Sequence, residues 1–228
     1  MIKFVFKWLL RLFILAVVLV VIFFLSLDSI LRVVMENRIR AQTGMDAEIG
    51  KFSLGLTEPT VTIQDFKLFN PPSFGGTPFL DIPEIHVEYD RTALAKHEIH
   101  VMLLRFNLGE LDIVKNEAGK TNLFSIAALP SVEKSGGKKT FAKETGFEFT
   151  GIDVLNVSVG TAKYIDLKDS KNNREQKIGI ENCVMKNVKT PTDLAALAAL
   201  VALRGGDFFG SLAGEKNSGM GVLNLLGQ

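Results

Sequence analysis

The uncharged run from Leu12 to Leu27 constrains this chain more than any other feature. It lies within Trp8–Leu27, WLLRLFILAVVLVVIFFLSL, a stretch without Gly or Pro whose one charge is Arg11. As a helix rising about 1.5 Å per residue it measures roughly 30 Å, the depth of a bilayer's hydrocarbon core. A helix satisfies its own backbone hydrogen bonds, so it can cross lipid, which offers none. Arg11 sits one turn from the start, where a long side chain snorkels to the headgroups, and Trp8 suits the interface at the same end. A cleaved signal peptide has a shorter apolar region and a small-residue cleavage site. Here Ser26-Leu27-Asp28-Ser29 is a poor one. A buried core helix is rarely so uniformly apolar. The stretch therefore predicts one uncleaved transmembrane anchor.

Orientation does not follow from charge. Lys3, Lys7 and Arg11 precede or open the span, and Arg32, Arg38 and Arg40 follow it, so the positive-inside count ties. A short N-terminus with about 200 residues beyond the span favours a cytoplasmic N-terminus and an extracytoplasmic bulk. Those remaining residues of the 228 suffice for a core. The net charge of +1 gives no basic field for nucleic acid. Cys183 is the single cysteine and reads as a small buried hydrophobe.

Three regions follow: an anchor helix with its extension over 1–44, a sheet domain over 45–190, and an apolar helix with a Gly-rich tail over 191–228. In the extension, Ile30, Leu31, Val34 and Met35 form one helical stripe, with Gly44 as a stop. From Asp46 the texture becomes that of strands, and their alternation slips by one residue at recurring places. Ile49 gives way to Phe52, Ile63 to Phe66, Val101 to Leu104, Val154 to Val157 and Ile180 to Cys183. Strand side chains have period two, so each slip turns the apolar set over unless a bulge or bend absorbs it. The fold class is therefore mainly β with helices (α+β), built on a curved, largely antiparallel sheet. Asn70–Gly76 reads as a loop, 92–95 as a turn of helix, the charged stretch 131–146 as a mobile loop and 168–176 as a hairpin tip. Thr190-Pro191-Thr192-Asp193 opens a Leu/Ala helix too short to span a bilayer.

Chemistry is sparse. There is no Ser/His/Asp signature, phosphate loop or paired Cys. His86, His97 and His100 lack the carboxylate or Cys partners of a metal site. Asp112, Asp153 and Asp166 have no spacing suited to acid–base work. No catalytic, cofactor-binding or metal residue is assigned, and the chain is expected to be non-catalytic.

The stretch from Thr43 to Leu123, TGMDAEIGKFSLGLTEPTVTIQDFKLFNPPSFGGTPFLDIPEIHVEYDRTALAKHEIHVMLLRFNLGELDIVKNEAGKTNL, resembles the N-terminal region of AsmA family proteins. The marks are Thr43-Gly44, Ile63-x-x-Phe66, Asn70-Pro71 with Phe74, the Ile82/Ile85/Val87 strand, Leu94 before the next strand, and Gly119-x-x-Asn122-Leu123. The stretch over 147–167 looks like the family's second strand block. The resemblance implies a single-pass inner-membrane protein of a diderm bacterium, with a periplasmic β-groove similar to bridge-like lipid-transfer proteins. It also implies a part in outer-membrane assembly or phospholipid handling. The chain departs from long family members in being too short to cross the periplasm. The groove candidates are Phe66, Leu68, Ile85, Val87, Leu104, Phe106, Phe147, Phe149, Ile152 and Val154. The expected partners are membrane lipids, with no nucleic acid. The alternative is an accessory or scaffold subunit that meets other membrane proteins through Trp8–Leu27, Leu194–Leu203 and the 207–228 tail.

Overall fold

The computed structural model describes residues 27–55, 57–122, 145–206 and 208. The anchor residues 8–26, the loop over 131–144 and most of the C-terminal tail lie outside the described residues. Among the described residues no helix is long and apolar enough to cross a membrane.

Six strands form one sheet in sequential order: β1 (Ala47–Leu54), β2 (Thr60–Phe69), β3 (Pro78–Tyr89), β4 (Glu98–Lys115), β5 (Glu148–Asp166) and β6 (Arg174–Val188). Four neighbouring pairs are antiparallel. The remaining pair, β4 with β5, is parallel from Glu98↔Glu148 to Lys115↔Asp166. The sheet is thus mixed, a refinement of the largely antiparallel expectation. Local alternation carries no information on strand direction, and β4 is parallel to β5 because the chain returns to its starting end across the intervening residues 116–147.

A helix over residues 27–43 (α1) precedes the sheet. The short α2 (Arg91–Ala95) joins β3 to β4, and α3 (Ala195–Gly205) follows β6. Asp90 caps α2 by accepting from the amides of Thr92 and Ala93. Before α3, the Asp193 carboxylate accepts from the amides of Lys189 and Thr190 at 2.8 Å each. That reciprocal contact is the start signal legible in Thr190–Asp193.

The slips in alternation fall into line. Ile49 and Phe52 flank Gly50-Lys51, Ile63 and Phe66 flank Gln64-Asp65, and Ile82 and Ile85 flank Pro83-Glu84. The unbroken registers set these pairs side by side. On β4 and β5 the same change falls at Gly109-Glu110 and Gly160-Thr161, again neighbours. This crease is in line on β1–β3 and again on β4 and β5, two residues further along by the β3–β4 register, and the apolar residues stay on one face. Asp65 takes φ 53° at the crease. A Cβ on Gly50 would lie 2.7 Å from that of Asp65, and one on Gly160 would lie 2.3 Å from the Gly109 carbonyl oxygen. Backbone on the facing strand cannot yield as a flexible side chain does. Gly160→Ala should therefore lower unfolding stability by about 1–3 kcal/mol, read by urea titration. True bulges occur as well. On β6, Ile178 and Gly179 lie opposite the single residue Gly160, and Thr150 is skipped between Phe149 and Gly151.

The helix α1 runs along the outer edge of β1 and antiparallel to it. Asp28 accepts from the Leu54 amide at 3.1 Å, and Glu36 from the Ile49 amide at 2.8 Å. Arg32 donates to the Gly50 carbonyl at 3.2 Å, and Arg40 pairs with Asp46. Side chains four residues apart on one helix stripe thus satisfy an edge that would otherwise offer itself to other strands. The adjacent stripe Leu31, Met35 and Ile39 packs on the sheet, whereas Ile30, Val33 and Val34 stay exposed. The helix therefore flanks the sheet along its length.

Candidate functional site

The register assembles rows of apolar side chains across the whole sheet. One row runs Leu54, Val61, Val87, Leu104, Leu155, Met185, and the next Phe52, Ile63, Ile85, Phe106, Val157, Cys183. Beyond the crease a third runs Ala47, Leu68, Leu80, Leu111, Ala162. Two helices cover the margins of this face. Under α1, Ile49 and Phe52 are 3% and 8% exposed. At the other margin Leu194, just before α3, and Leu197 pack near Leu155 and Val188, and Leu200 and Val201 of α3 near Ile178 and Ile180. Phe208 joins the second of these clusters at 6% exposure. Between the helices Phe66, Ile85, Val87, Leu104, Phe106 and Ile152 are only half-buried. They form an apolar trough that runs along the strands, walled by α1 and α3. At the α3 margin an open hollow of about 530 Å³ is lined by Ile180, Cys183, Leu200 and Arg204.

The opposite face is polar. Thr62 Oγ1 lies 2.8 Å from His86 Nδ1, Arg105 pairs with Glu84 at 3.0 Å, and Lys163 pairs with Glu110 at 2.6 Å. His100 bonds Thr150 and Asp153. These partners account for two of the three histidines, and among the described residues no group of His, Cys, Asp and Glu is placed to hold a metal ion. One carboxylate is out of the ordinary. Asp112 is 6% exposed, and its Oδ1 has no hydrogen-bond partner. Burial, reinforced by the neighbouring Glu110 charge, pushes its carboxyl up to about 6, against a smaller opposing pull from Lys163. The folded state thus binds the proton more tightly than the unfolded state, whose carboxyl titrates near 3.8. Stability from this group is full below about pH 4, falls as pH rises to about 6 and is flat above. Asp112→Asn should accordingly stabilise the protein at pH 7, on the order of 1–2 kcal/mol, with the gain vanishing below about pH 4 in melts against pH.

At the end of the sheet remote from α2, two asparagines tie the loops together. Asn122 is fully buried and Asn70 is 4% exposed. Asn122 Nδ2 donates to Asn70 Oδ1 and to the Asp112 carbonyl, both at 2.8 Å, and its Oδ1 accepts from the Val114 amide at 3.0 Å. Asn70 Nδ2 donates in turn to the Pro78 carbonyl. The motif positions Asn70 and Asn122, 52 residues apart, are one structural staple.

Of the ten groove candidates, Leu68 is core, a member of the third row that packs with Met45, Ala47 and Phe79. Phe66, Ile85, Val87, Leu104, Phe106 and Ile152 come together in the trough. Phe147 lies instead against the His97 ring, with centroids 5.3 Å apart, and Phe149 pairs with Ile99 beyond the trough. Val154 sits beside Leu103 and Lys186, one position out of phase with Leu155, and joins no buried cluster. The sequence reading put the β5 slip between Val154 and Val157, whereas the sheet puts it between Ile152 and Leu155. Leu155 and Val61 were missed on that account or as edge residues; only pairing with Leu104 and Val87 reveals them. Comparison with known proteins returns no matching family model, curated protein or solved structure.

Proposed function

We propose that this chain is a non-catalytic, membrane-anchored lipid-binding protein of AsmA type that shelters acyl chains in the trough between α1 and α3. The observation that carries the reading is the strip of half-buried Phe66, Ile85, Val87, Leu104, Phe106 and Ile152, on a sheet whose other face is polar. Apolar surface left in water costs about 25 cal/mol per Å², so such a strip calls for a ligand or a cover. An acyl chain matches it in shape and in lacking polar groups. The apolar stretch Trp8–Leu27 supplies the anchor, with the N-terminus cytoplasmic and the sheet on the periplasmic side of a bacterial inner membrane. Outer-membrane assembly or envelope maintenance is the process this reading serves.

A second reading, an accessory subunit of a membrane complex, is favoured by one observation. Ile30, Val33, Val34 and Leu203 are 49%, 50%, 53% and 80% exposed on the outer sides of the two helices. Purification in mild detergent, with mass spectrometry of what co-purifies, separates the two. Phospholipid near one per chain supports the lipid reading. Stoichiometric polypeptides without lipid support the subunit.

A further inference from the structure

We infer that the hollow between α3 and β6 is a second binding site, one that takes the zwitterionic headgroup of an aminophospholipid. It lies at β6, the last strand of the sheet, whereas the trough lies over β2 to β5, so the inference does not depend on what the trough holds. The floor of the hollow is apolar. Ile180 is 5% exposed, and Cys183 and Leu200 are half-buried. Two exposed residues of opposite charge, Glu181 and Arg204, line it as well. Among the described residues neither forms an ion pair.

Local structure brings the two charges to one place. Along a regular strand Glu181 would face away from Ile180. Here Val157 pairs with Cys183 and Val159 with Ile180, so Glu181 and Asn182 stand opposite the single residue Ser158. The Asn182 amide donates to Ser158 Oγ at 3.0 Å, and Asn182 takes φ 50°. A bulge of this kind re-aims a side chain, and Glu181 joins Ile180 in lining the hollow. Arg204 follows Leu200 by four residues, on the same stripe of α3. Gln176 Nε2 of β6 donates to the Arg204 carbonyl at 3.2 Å, which ties the end of α3 to the strand. A guanidinium offers a planar fork that matches a phosphate, and a carboxylate accepts from an ammonium group. A phosphoethanolamine head carries a phosphate and a primary ammonium joined by a short link, and the apolar floor receives the start of an acyl chain. A purely anionic lipid would set its charge against Glu181 and against the carbonyl end of α3, which disfavours a negative ligand. The ammonium of a zwitterion offsets both.

Cys183 is the single cysteine of the chain and lines the hollow, so its alkylation reports occupancy without a substitution. The test labels the full chain, in mild detergent, with N-ethylmaleimide in the presence of dihexanoyl phosphatidylethanolamine. At about ten times its Kd that lipid should slow the labelling about tenfold. Dihexanoyl phosphatidylglycerol and chain-free phosphoethanolamine, at the same concentration, should slow it at most about twofold. Arg204→Gln and Glu181→Gln alter exposed side chains and should each remove the protection with the fold intact. Phe106→Asp, in the trough, should leave the protection unchanged. Equal protection by the two lipids, or protection that survives both glutamine substitutions, would mean that the hollow reads no headgroup and would overturn the inference. Absence of any protection would do the same. So would its loss in Phe106→Asp, which would put the lipid in the trough.

Discussion

Phe106→Asp should reduce the affinity for a fluorescent fatty acid at least about tenfold, equivalent to 1.4 kcal/mol, while the protein stays folded. Phe106 lies mid-sheet, between Ile85 and Val157 in the same row. A carboxylate there must lose its water whenever an acyl chain covers it, and a hydrocarbon offers no hydrogen bond in return. Without ligand the side chain is only half-buried, so the charge retains water and the fold tolerates it. Val154→Asp is the informative control. It adds the same charge to a neighbouring strand, next to Lys186 and out of phase with the trough. Lipid binding should be unchanged. Equal losses from both substitutions would mean that lipid does not occupy the trough.

Asn122→Ala should lower unfolding stability by about 3–5 kcal/mol, the sum of the penalties for stranding three buried groups at about 1–3 kcal/mol each, discounted for relaxation. The groups are the Val114 amide, the Asp112 carbonyl and Asn70 Oδ1. For a chain of this size that corresponds to a fall of roughly 6–20 °C in Tm. Asn122→Asp separates hydrogen bonding from packing. An ionised carboxylate has no donor for the two acceptors, so the loss at pH 7 should match or exceed that of alanine. A protonated one regains a donor, so the loss should shrink on acidification. A loss independent of pH would point to packing alone.

The asparagines show how far the sequence reaches. Asn70 and Asn122 stood out as motif positions, each beside a turn, yet nothing local says that two amides so far apart would bond. Their meeting depends on the ends of β2, β3 and β4 arriving together. The same holds for Asp112, an ordinary strand carboxylate until the fold buries it beside the Glu110 charge. On β5, Val154 and Leu155 are adjacent aliphatic residues of near-equal hydrophobicity. Only the partner strand decides which one faces the trough, and the partner is a parallel one that no pattern within β5 announces.

The amino-acid sequence on its own determined the strand texture, the slips of alternation on β1 and β2, the start of the Leu/Ala helix and the apolar stretch that argues for an anchor. Each of these depends on neighbours within a few residues: side-chain period, backbone freedom at glycine, a capping carboxylate. Tertiary structure alone decided that the slips of neighbouring strands line up on β1–β3 and on β4–β5, that β4 and β5 run parallel, that α1 seals the edge of β1, and that half-buried side chains are left between two helices. Those are outcomes of pairing between distant strands, where the energy lies in contacts that no short window of sequence contains.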